Sequence, residues 1–366
     1  MAYSDIKDPS EHFQVKIYTA NSGYSVTVTN DGNSDLKPDL LWVKERTSPG
    51  GYEYDHNWID SSRGVTKTLW SNSNIAEMTA SQSNYDLQSF NTDGFTTGLP
   101  ENTNSLGGAN ATDGKVAWQW KANGGTTASN SNGSITSTVQ ANTTAGFSIV
   151  TYTGTGSAAT VGHGLGGTPG MIIFKNRSGA NVWATYHQGL GNNVKLDLSG
   201  LGAADADGAF MNGTLPTSSV FSVGASANTN TGSSNYVAYC FAEIDGYSKF
   251  GTYIANQSQN GPFVYTGFKP AFIMIKNTAH STNWEMFDHK RNPNNVANLK
   301  LGANKNNAEN GSDFGTTTQN NIDILSNGFK PKTGNTDTNY GVGDVLIYMA
   351  FAENPFVAGG VPTTAR

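Results

Sequence analysis

The sequence predicts an all-β chain of three tandem antiparallel β-sandwich domains, and three observations carry that expectation. A seven-residue phrase occurs three times, as Pro38-Asp-Leu-Leu-Trp-Val-Lys44, Pro169-Gly-Met-Ile-Ile-Phe-Lys175 and Pro270-Ala-Phe-Ile-Met-Ile-Lys276. A segment ending in aromatics follows each copy: Val116-Ala-Trp-Gln-Trp120, Val237-Ala-Tyr-Cys-Phe241 and Ile347-Tyr-Met-Ala-Phe351. Glycine is abundant (43 of 366 residues) and only 14% of residues are charged, so helix-forming heptads and a disordered polyelectrolyte are both excluded. Repetition on this scale sets the architecture before any single element does.

Each anchor phrase reads as a buried strand. Four consecutive apolar residues put hydrophobic groups on both faces of an extended segment, which suits a strand enclosed between two layers. The proline stands at the strand start, where no ladder bond is lost, and the lysine is expected to mark the return to solvent. The aromatic segments alternate with period two: Val116, Trp118 and Trp120 share one face, as do Val237, Tyr239 and Phe241, and Ile347, Met349 and Phe351. Opening strands precede the anchors at Val15–Thr19, Gly146–Tyr152 and Phe250–Ile254. Turns feeding a further strand are read at Asn91–Gly98 and Ser326–Gly334, with Ser219–Gly224 as the weaker counterpart in copy two.

Taken in order, residues 1–14 are a polar lead-in and 15–121 the first sandwich, with a hairpin at Tyr24–Thr29 closed by Asn30-Asp-Gly. Residues 122–145, rich in Gly, Ser, Thr and Asn, read as a linker, with Ser134–Val139 as one more exposed strand within it. Residues 146–247 are the second sandwich and 248–353 the third, and 354–366 an extended tail. The short passage near Glu243–Phe250 predicts a stiff pair of domains two and three, with domain one more loosely tethered. Each repeat is about the size of one domain with its own core.

Net charge is −6 and no Lys/Arg cluster is present, so nucleic acid is not an expected partner. A single cysteine, Cys240, excludes an intrachain disulfide and a cysteine-based zinc site. The opening Met-Ala-Tyr-Ser-Asp-Ile-Lys has no apolar core of a leader, and no stretch approaches a membrane span. The chain is therefore expected to fold in a cytoplasm and to need no cofactor.

Gly162-His-Gly-Leu-Gly-Gly167 has dinucleotide-loop spacing, but a strand follows where a helix is required, so it reads as a turn. Asp31-Gly-Asn-Ser-Asp35 opens like a calcium loop, yet Leu36 and Trp42 occupy the positions needing glycine and glutamate, which leaves an Asx-type turn. The six histidines show no metal spacing. Glu45, Glu243 and Glu353 read as solvated strand ends, and no carboxylate pair suggests hydrolysis. Trp183 and Trp284 share one offset from their anchor prolines, with Trp58 the nearest aromatic in copy one; these are read first as core and second as sugar-stacking contacts. The long segment Lys290–Thr318 is rich in amides and cations. Lys290, Arg291, Asn292, Asn294, Asn295, Lys305 and Asn306 are its candidate contacts with a glycan or a neighbouring subunit.

The phrases Asp31-Gly-Asn-Ser-Asp-Leu-Lys-Pro-Asp-Leu-Leu-Trp-Val-Lys44, Asp60-Ser-Ser-Arg-Gly64, Phe90-Asn-Thr-Asp-Gly-Phe95 and Phe147-Ser-Ile-Val-Thr-Tyr-Thr-Gly154 resemble a repeat family of virion structural proteins encoded by marine tailed phages. The resemblance covers nearly the whole chain. It implies SPRY-like, lectin-like or jelly-roll sandwiches and a non-enzymatic place in the virion. A tail fibre or adaptor serving host attachment is the first expectation, and a capsid decoration protein or a glycan-degrading tail enzyme the alternatives. Implied partners are other virion proteins, further copies of the chain and a host surface glycan; no catalytic residue is carried over. Copy two departs from the pattern, with Tyr186-His-Gln-Gly-Leu190 where the others read Ile59-Asp-Ser-Ser-Arg63 and Phe287-Asp-His-Lys-Arg291.

Overall fold

Each anchor phrase is buried from end to end and forms a strand, and the sheets are arranged around these three strands. The computed structural model describes residues 5–21, 25–47, 53–79, 87–98, 106, 113–309, 321–334, 337–355, 357–358 and 361–362. The chain is all-β with antiparallel sheets, and among the described residues no helix is long and apolar enough to cross a membrane.

The first repeat contains β1 (Phe13–Thr19), β2 (Thr27–Val28), β3 (Leu40–Glu45), β4 (Asn57–Asp60), β5 (Lys67–Thr68), β6 (Met78–Thr79), β7 (Leu87–Phe90), β8 (Phe95–Thr97) and β9 (Gly114–Trp120). The second contains β10 (Ala128–Asn130), β11 (Ser137–Asn142), β12 (Phe147–Thr153), β13 (Ala159–Gly162), β14 (Pro169–Asn176), β15 (Ala184–His187), β16 (Val194–Asp197), β17 (Asp205–Ala206), β18 (Val220–Val223) and β19 (Asn235–Ala242). The third contains β20 (Ser248–Ile254), β21 (Val264–Tyr265), β22 (Phe268–Asn277), β23 (Glu285–Asp288), β24 (Leu301–Gly302), β25 (Ile322–Leu325), β26 (Gly328–Pro331) and β27 (Val345–Pro355), with β28 (Val357–Ala358) and β29 (Val361–Pro362) paired beyond it.

One topology recurs in the large sheets. The opening strand pairs with the aromatic strand, which pairs with the anchor strand, which pairs with the strand after it: β1-β9-β3-β4, β12-β19-β14-β15 and β20-β27-β22-β23. Registers agree across copies, with Leu40 opposite Trp120, Met171 opposite Phe241 and Phe272 opposite Phe351. Smaller sheets β2-β8-β7, β13-β18 and β21-β26-β25 accompany them. The Asp-Gly-Phe and Asn-Gly-Phe turns are explained here. A Cβ on Gly94 would lie 2.0 Å from the Val28 carbonyl oxygen, and one on Gly328 would lie 2.0 Å from that of Val264. Gly94 also has φ +89°, a conformation open to glycine at little cost. The aromatics that follow, Phe95 and Phe329, are fully buried.

In the first two repeats the two apolar faces of the anchor strand serve different cores. Leu41 and Val43 pack with Val28, Ile59, Leu87 and Phe95 inside the first repeat. Ile172 and Phe174 do the same with Val161, Tyr186 and Phe221 inside the second. The alternate residues Leu40 and Trp42, Met171 and Ile173, and Phe272 and Met274 all enter one core shared by the three repeats. At its centre Trp120, Phe241 and Phe351 touch one another with ring centroids 6.2, 5.6 and 6.0 Å apart. In the third repeat Ile273 and Ile275, with Val264 and Phe329, belong to that same core, so the expectation of three separate cores is corrected by one that joins the repeats.

Three further expectations change. Residues 122–145 are not a linker, because β10 and β11 extend the second large sheet from the outer edge of β12. The first repeat is not loosely tethered, because Phe13 stacks on Phe351 of the third repeat at 5.1 Å and Trp58 meets Tyr239 of the second at 5.0 Å. Nor do the anchor lysines mark a return to solvent: Lys44, Lys175 and Lys276 are 1%, 0% and 0% exposed. Their ammonium groups donate to backbone carbonyls, Lys44 to Glu45 at 3.0 Å, Lys175 to Asn74 and Asn181 at 2.9 and 2.6 Å, and Lys276 to Asn277 and His280 at 2.7 and 3.0 Å. A four-carbon stem lets lysine fill an apolar layer and still deliver donors to the loop beyond it.

Candidate functional site

Where one repeat meets the next, equivalent positions gather the buried charge into seams. Between the first and second repeats, Asp60 at the end of β4 receives the Arg63 backbone N–H at 2.8 Å and its Nε at 2.5 Å. Tyr239 of the second repeat donates its hydroxyl to the same carboxylate at 2.7 Å. Arg63 also reaches Glu77 at 2.9 Å, which Arg177 of the second repeat grips with two bonds of 2.8 and 2.9 Å. Between the third and first repeats the arrangement returns. Asp288 holds Arg291 at 2.6 Å and accepts from Trp118 Nε1 at 3.1 Å, and Glu309 is gripped by Arg46 at 3.0 and 2.8 Å.

The second-to-third seam replaces every member of that set. His187, Leu190, Ala204, Thr278 and Met349 occupy the positions of Asp, Arg, Glu, the receiving Arg and the Tyr or Trp. The backbone fixes the correspondence: Ala204 N donates to Thr278 O as Glu77 N does to Arg177 O and Glu309 N to Arg46 O. His187 donates from Nε2 to the Tyr348 carbonyl at 3.2 Å and accepts the Gly189 N–H at Nδ1. Burial brings its imidazole down to about 4, so it serves as a neutral donor. The departure of copy two from the Asp/Arg pattern is thus matched by losses on the facing repeat.

A second ring of cross-repeat bonds places the tryptophans. Trp183 Nε1 donates to the Trp70 carbonyl of the preceding repeat at 2.8 Å, and Trp284 Nε1 to that of Asp197 at 2.9 Å. His56, not Trp58, holds the equivalent place in the first repeat. Its Nδ1 accepts from Trp42 Nε1 at 2.8 Å, so Nε2 carries the hydrogen and donates to the Gly302 carbonyl at 2.9 Å. Trp58, Trp183 and Trp284 are 1%, 0% and 1% exposed. Enclosed rings offer no face for a sugar to stack on.

The candidate contact loop divides. Arg291 and Asn292 are buried within the seam, Asn292 exchanging bonds with the Leu299 backbone at 2.9 and 2.8 Å. Asn295 is exposed, but its amide is held by the Ile324 backbone at 2.9 and 3.0 Å. Asn294 is exposed, and Lys290, Lys305 and Asn306 are half-buried. Residues 310–318 of that segment lie outside the described residues. Glu45 is not a solvated strand end: it is buried and bonded to Lys115 at 2.9 Å.

A half-open groove of about 230 Å³ lies at the third-to-first seam. Phe13, Gln14 and Val15 of β1 form one wall, and His289, Lys290 and Glu353 of the third repeat the other. Lys290 and Lys16 both pair with Asp31, at 2.9 and 3.2 Å, and Lys269 and His289 both pair with Glu353, at 2.8 and 3.0 Å. Burial opposes the charge on Glu353, yet His289 and Lys269 hold its carboxyl down to about 2. Each carboxylate is therefore already committed to two basic groups. The site can present donors and positive charge to a ligand, and it was invisible in the sequence because its walls come from opposite ends of the chain. Among the described residues no group of three His, Cys, Asp or Glu side chains is arranged to hold a metal ion.

No curated protein and no solved structure matches this chain. The model of a domain of unknown function (DUF7483) matches residues 8–355. With nearly its whole length covered by that match, the chain belongs to the DUF7483 family.

Proposed function

We propose that this chain is a non-enzymatic structural protein of a tailed-phage virion, associated with the tail in host attachment or in bridging tail components. In this reading it is built from three antiparallel sandwich repeats. The observation that supports it most is the use made of chemically capable side chains. Asp60, Arg63, Asp288, Arg291, His56 and His187, the groups from which a catalyst would be assembled, are buried and spent on holding repeats together. The surface left over is mostly uncharged amide and hydroxyl, suited to subunit or glycan contacts over a wide range of salt. A second reading, a decoration protein on the capsid exterior, draws support from the ring of three repeats, which fits a threefold position on a symmetric shell. Gold-labelled antibody imaged on purified particles is expected to mark the tail. Label on the capsid selects the second reading, and absence from particles, or turnover of envelope glycans by the isolated chain, overturns both.

A further inference from the structure

The three opening strands are equivalent, yet their outer edges are treated in three ways. β12 is covered by β11, which pairs along it from Thr138 opposite Thr151 to Asn142 opposite Phe147. From that strand Gln140 reaches across the seam to Ser61 and Ser62 at 2.9 and 2.8 Å, and Asn142 reaches the Lys121 carbonyl at 3.2 Å. At β20 the edge is tied off by side chains, Gln188 Nε2 donating to the Phe250 carbonyl at 2.6 Å and Glu243 accepting the Phe250 N–H at 3.4 Å. At β1 the described residues supply no strand on the outer side: β1 pairs with β9 alone. The groove lies against that edge.

The position matches the occupied one residue for residue. β1 reads Phe-Gln-Val-Lys-Ile-Tyr-Thr and β12 reads Phe-Ser-Ile-Val-Thr-Tyr-Thr, with Phe13 and Phe147 at the same register against Trp120 and Phe241. His289 and Lys290 follow Asp288 as Ser61 and Ser62 follow Asp60. They therefore stand where β11's Gln140 finds its partners across the first seam. An unpaired strand edge beside a groove of this shape accepts an extended chain through main-chain hydrogen bonds, with side-chain pockets setting preference.

We propose that the groove on β1 binds an extended segment of a partner polypeptide, which adds to β1 as an antiparallel strand in the way β11 adds to β12. Its inward side chain at the Gln140 position is an amide or a carboxylate. Charge complementarity favours the carboxylate, since Lys290 stands in the groove where Ser62 meets Gln140 across the first seam. This inference stands apart from the virion assignment, because it depends only on the strand edge and the groove.

The probe is a fluorescent peptide with the sequence of residues 134–143, tested on the full chain by anisotropy and by hydrogen exchange. Saturable binding is expected, with slowed exchange of the β1 amides between Phe13 and Ile17. Changing the peptide's glutamine to glutamate should tighten binding several-fold at low salt, with the gain lost as salt is raised. Asn33→Trp places a bulky ring on an exposed wall of the groove and should remove binding while leaving the melting profile unchanged; Asn33→Arg is the second variant should the first melt early. No saturable binding overturns the proposal, as does protection at β12 instead of β1 or indifference to both Asn33 variants. Binding that appears only after removal of residues 356–366 would assign the groove to the chain's own tail and overturn it equally.

Discussion

Lys44 shows how far one buried side chain departs from its ordinary chemistry. Burial, reinforced by the nearby Lys115, brings its ammonium down to about 7, and burial brings Lys175 and Lys276 to about 8. The folded form therefore releases its proton well below the ordinary value of 10.5. Between the two values the unfolded chain binds a proton that the folded chain does not, so stability rises with pH across that window. The burden on the folded state is greatest below pH 7 and is relieved as pH climbs. Urea midpoints measured from pH 7 to 9.5 should therefore increase for the native chain. Lys44→Met removes one titrating group and should give a shallower rise; an unchanged slope would show that Lys44 is not a source of it. The upper limit matters, because burial raises Tyr18 and Tyr247, and above pH 10 their ionisation in the unfolded chain works the other way.

At the scale of elements, the seams carry the distinction between a charged lock and an apolar one. Arg63→Leu leaves Asp60 without its cation in a buried site and Glu77 with Arg177 alone, a loss of about 3–5 kcal/mol. Writing the second-to-third seam into the first, by Asp60→His, Arg63→Leu, Glu77→Ala, Arg177→Thr and Tyr239→Met together, removes all the buried charges at once. That set should cost less than Arg63→Leu alone, read from urea midpoints, because neutral groups need no compensation. A larger loss from the combined set would show that the two seams are not interchangeable.

How much of this was legible depended on whether the signal was local. The anchor strands, the aromatic strands and the Gly94 and Gly328 turns could be read because each rests on neighbours within a few residues. Apolar groups on both faces of Leu40–Val43 showed enclosure, but not that one face meets the first repeat's own core and the other a core shared with Phe272 and Met171. Lys44 looked like a strand end because sequence shows a charge and not the carbonyl that awaits it. His56 was missed as the partner of Trp183 and Trp284 because extra residues before it shift its offset from the proline. The seams join residues such as Arg46 and Glu309, 263 positions apart, and no periodicity records that pairing. The same distance hid the groove.

For the whole molecule, the shared core decides whether the repeats are three proteins on a string or one cooperative unit. Met274 and Ile173 lie in that core with 1% exposure each, on anchor strands of different repeats. If each repeat stood alone, Met274→Asp would unfold the third and spare the others. The shared core argues otherwise. Trp120 touches Phe241 and Phe351, Trp42 and Trp118 touch Phe272, and Trp58 touches Trp183, so losing one anchor strand opens faces on the other two repeats. An unpaired carboxylate placed there costs several kcal/mol, comparable with the roughly 5–15 kcal/mol that holds a typical domain folded. Met274→Asp and Ile173→Asp should therefore each abolish the native transition as a whole. The native chain should melt in a single calorimetric peak whose van't Hoff and calorimetric enthalpies agree. Two or more separated peaks, or an Ile173→Asp protein that keeps the near-ultraviolet signal of the first repeat's Trp42, Trp58 and Trp118, would mean that the aromatic contacts across the seams do not couple the repeats.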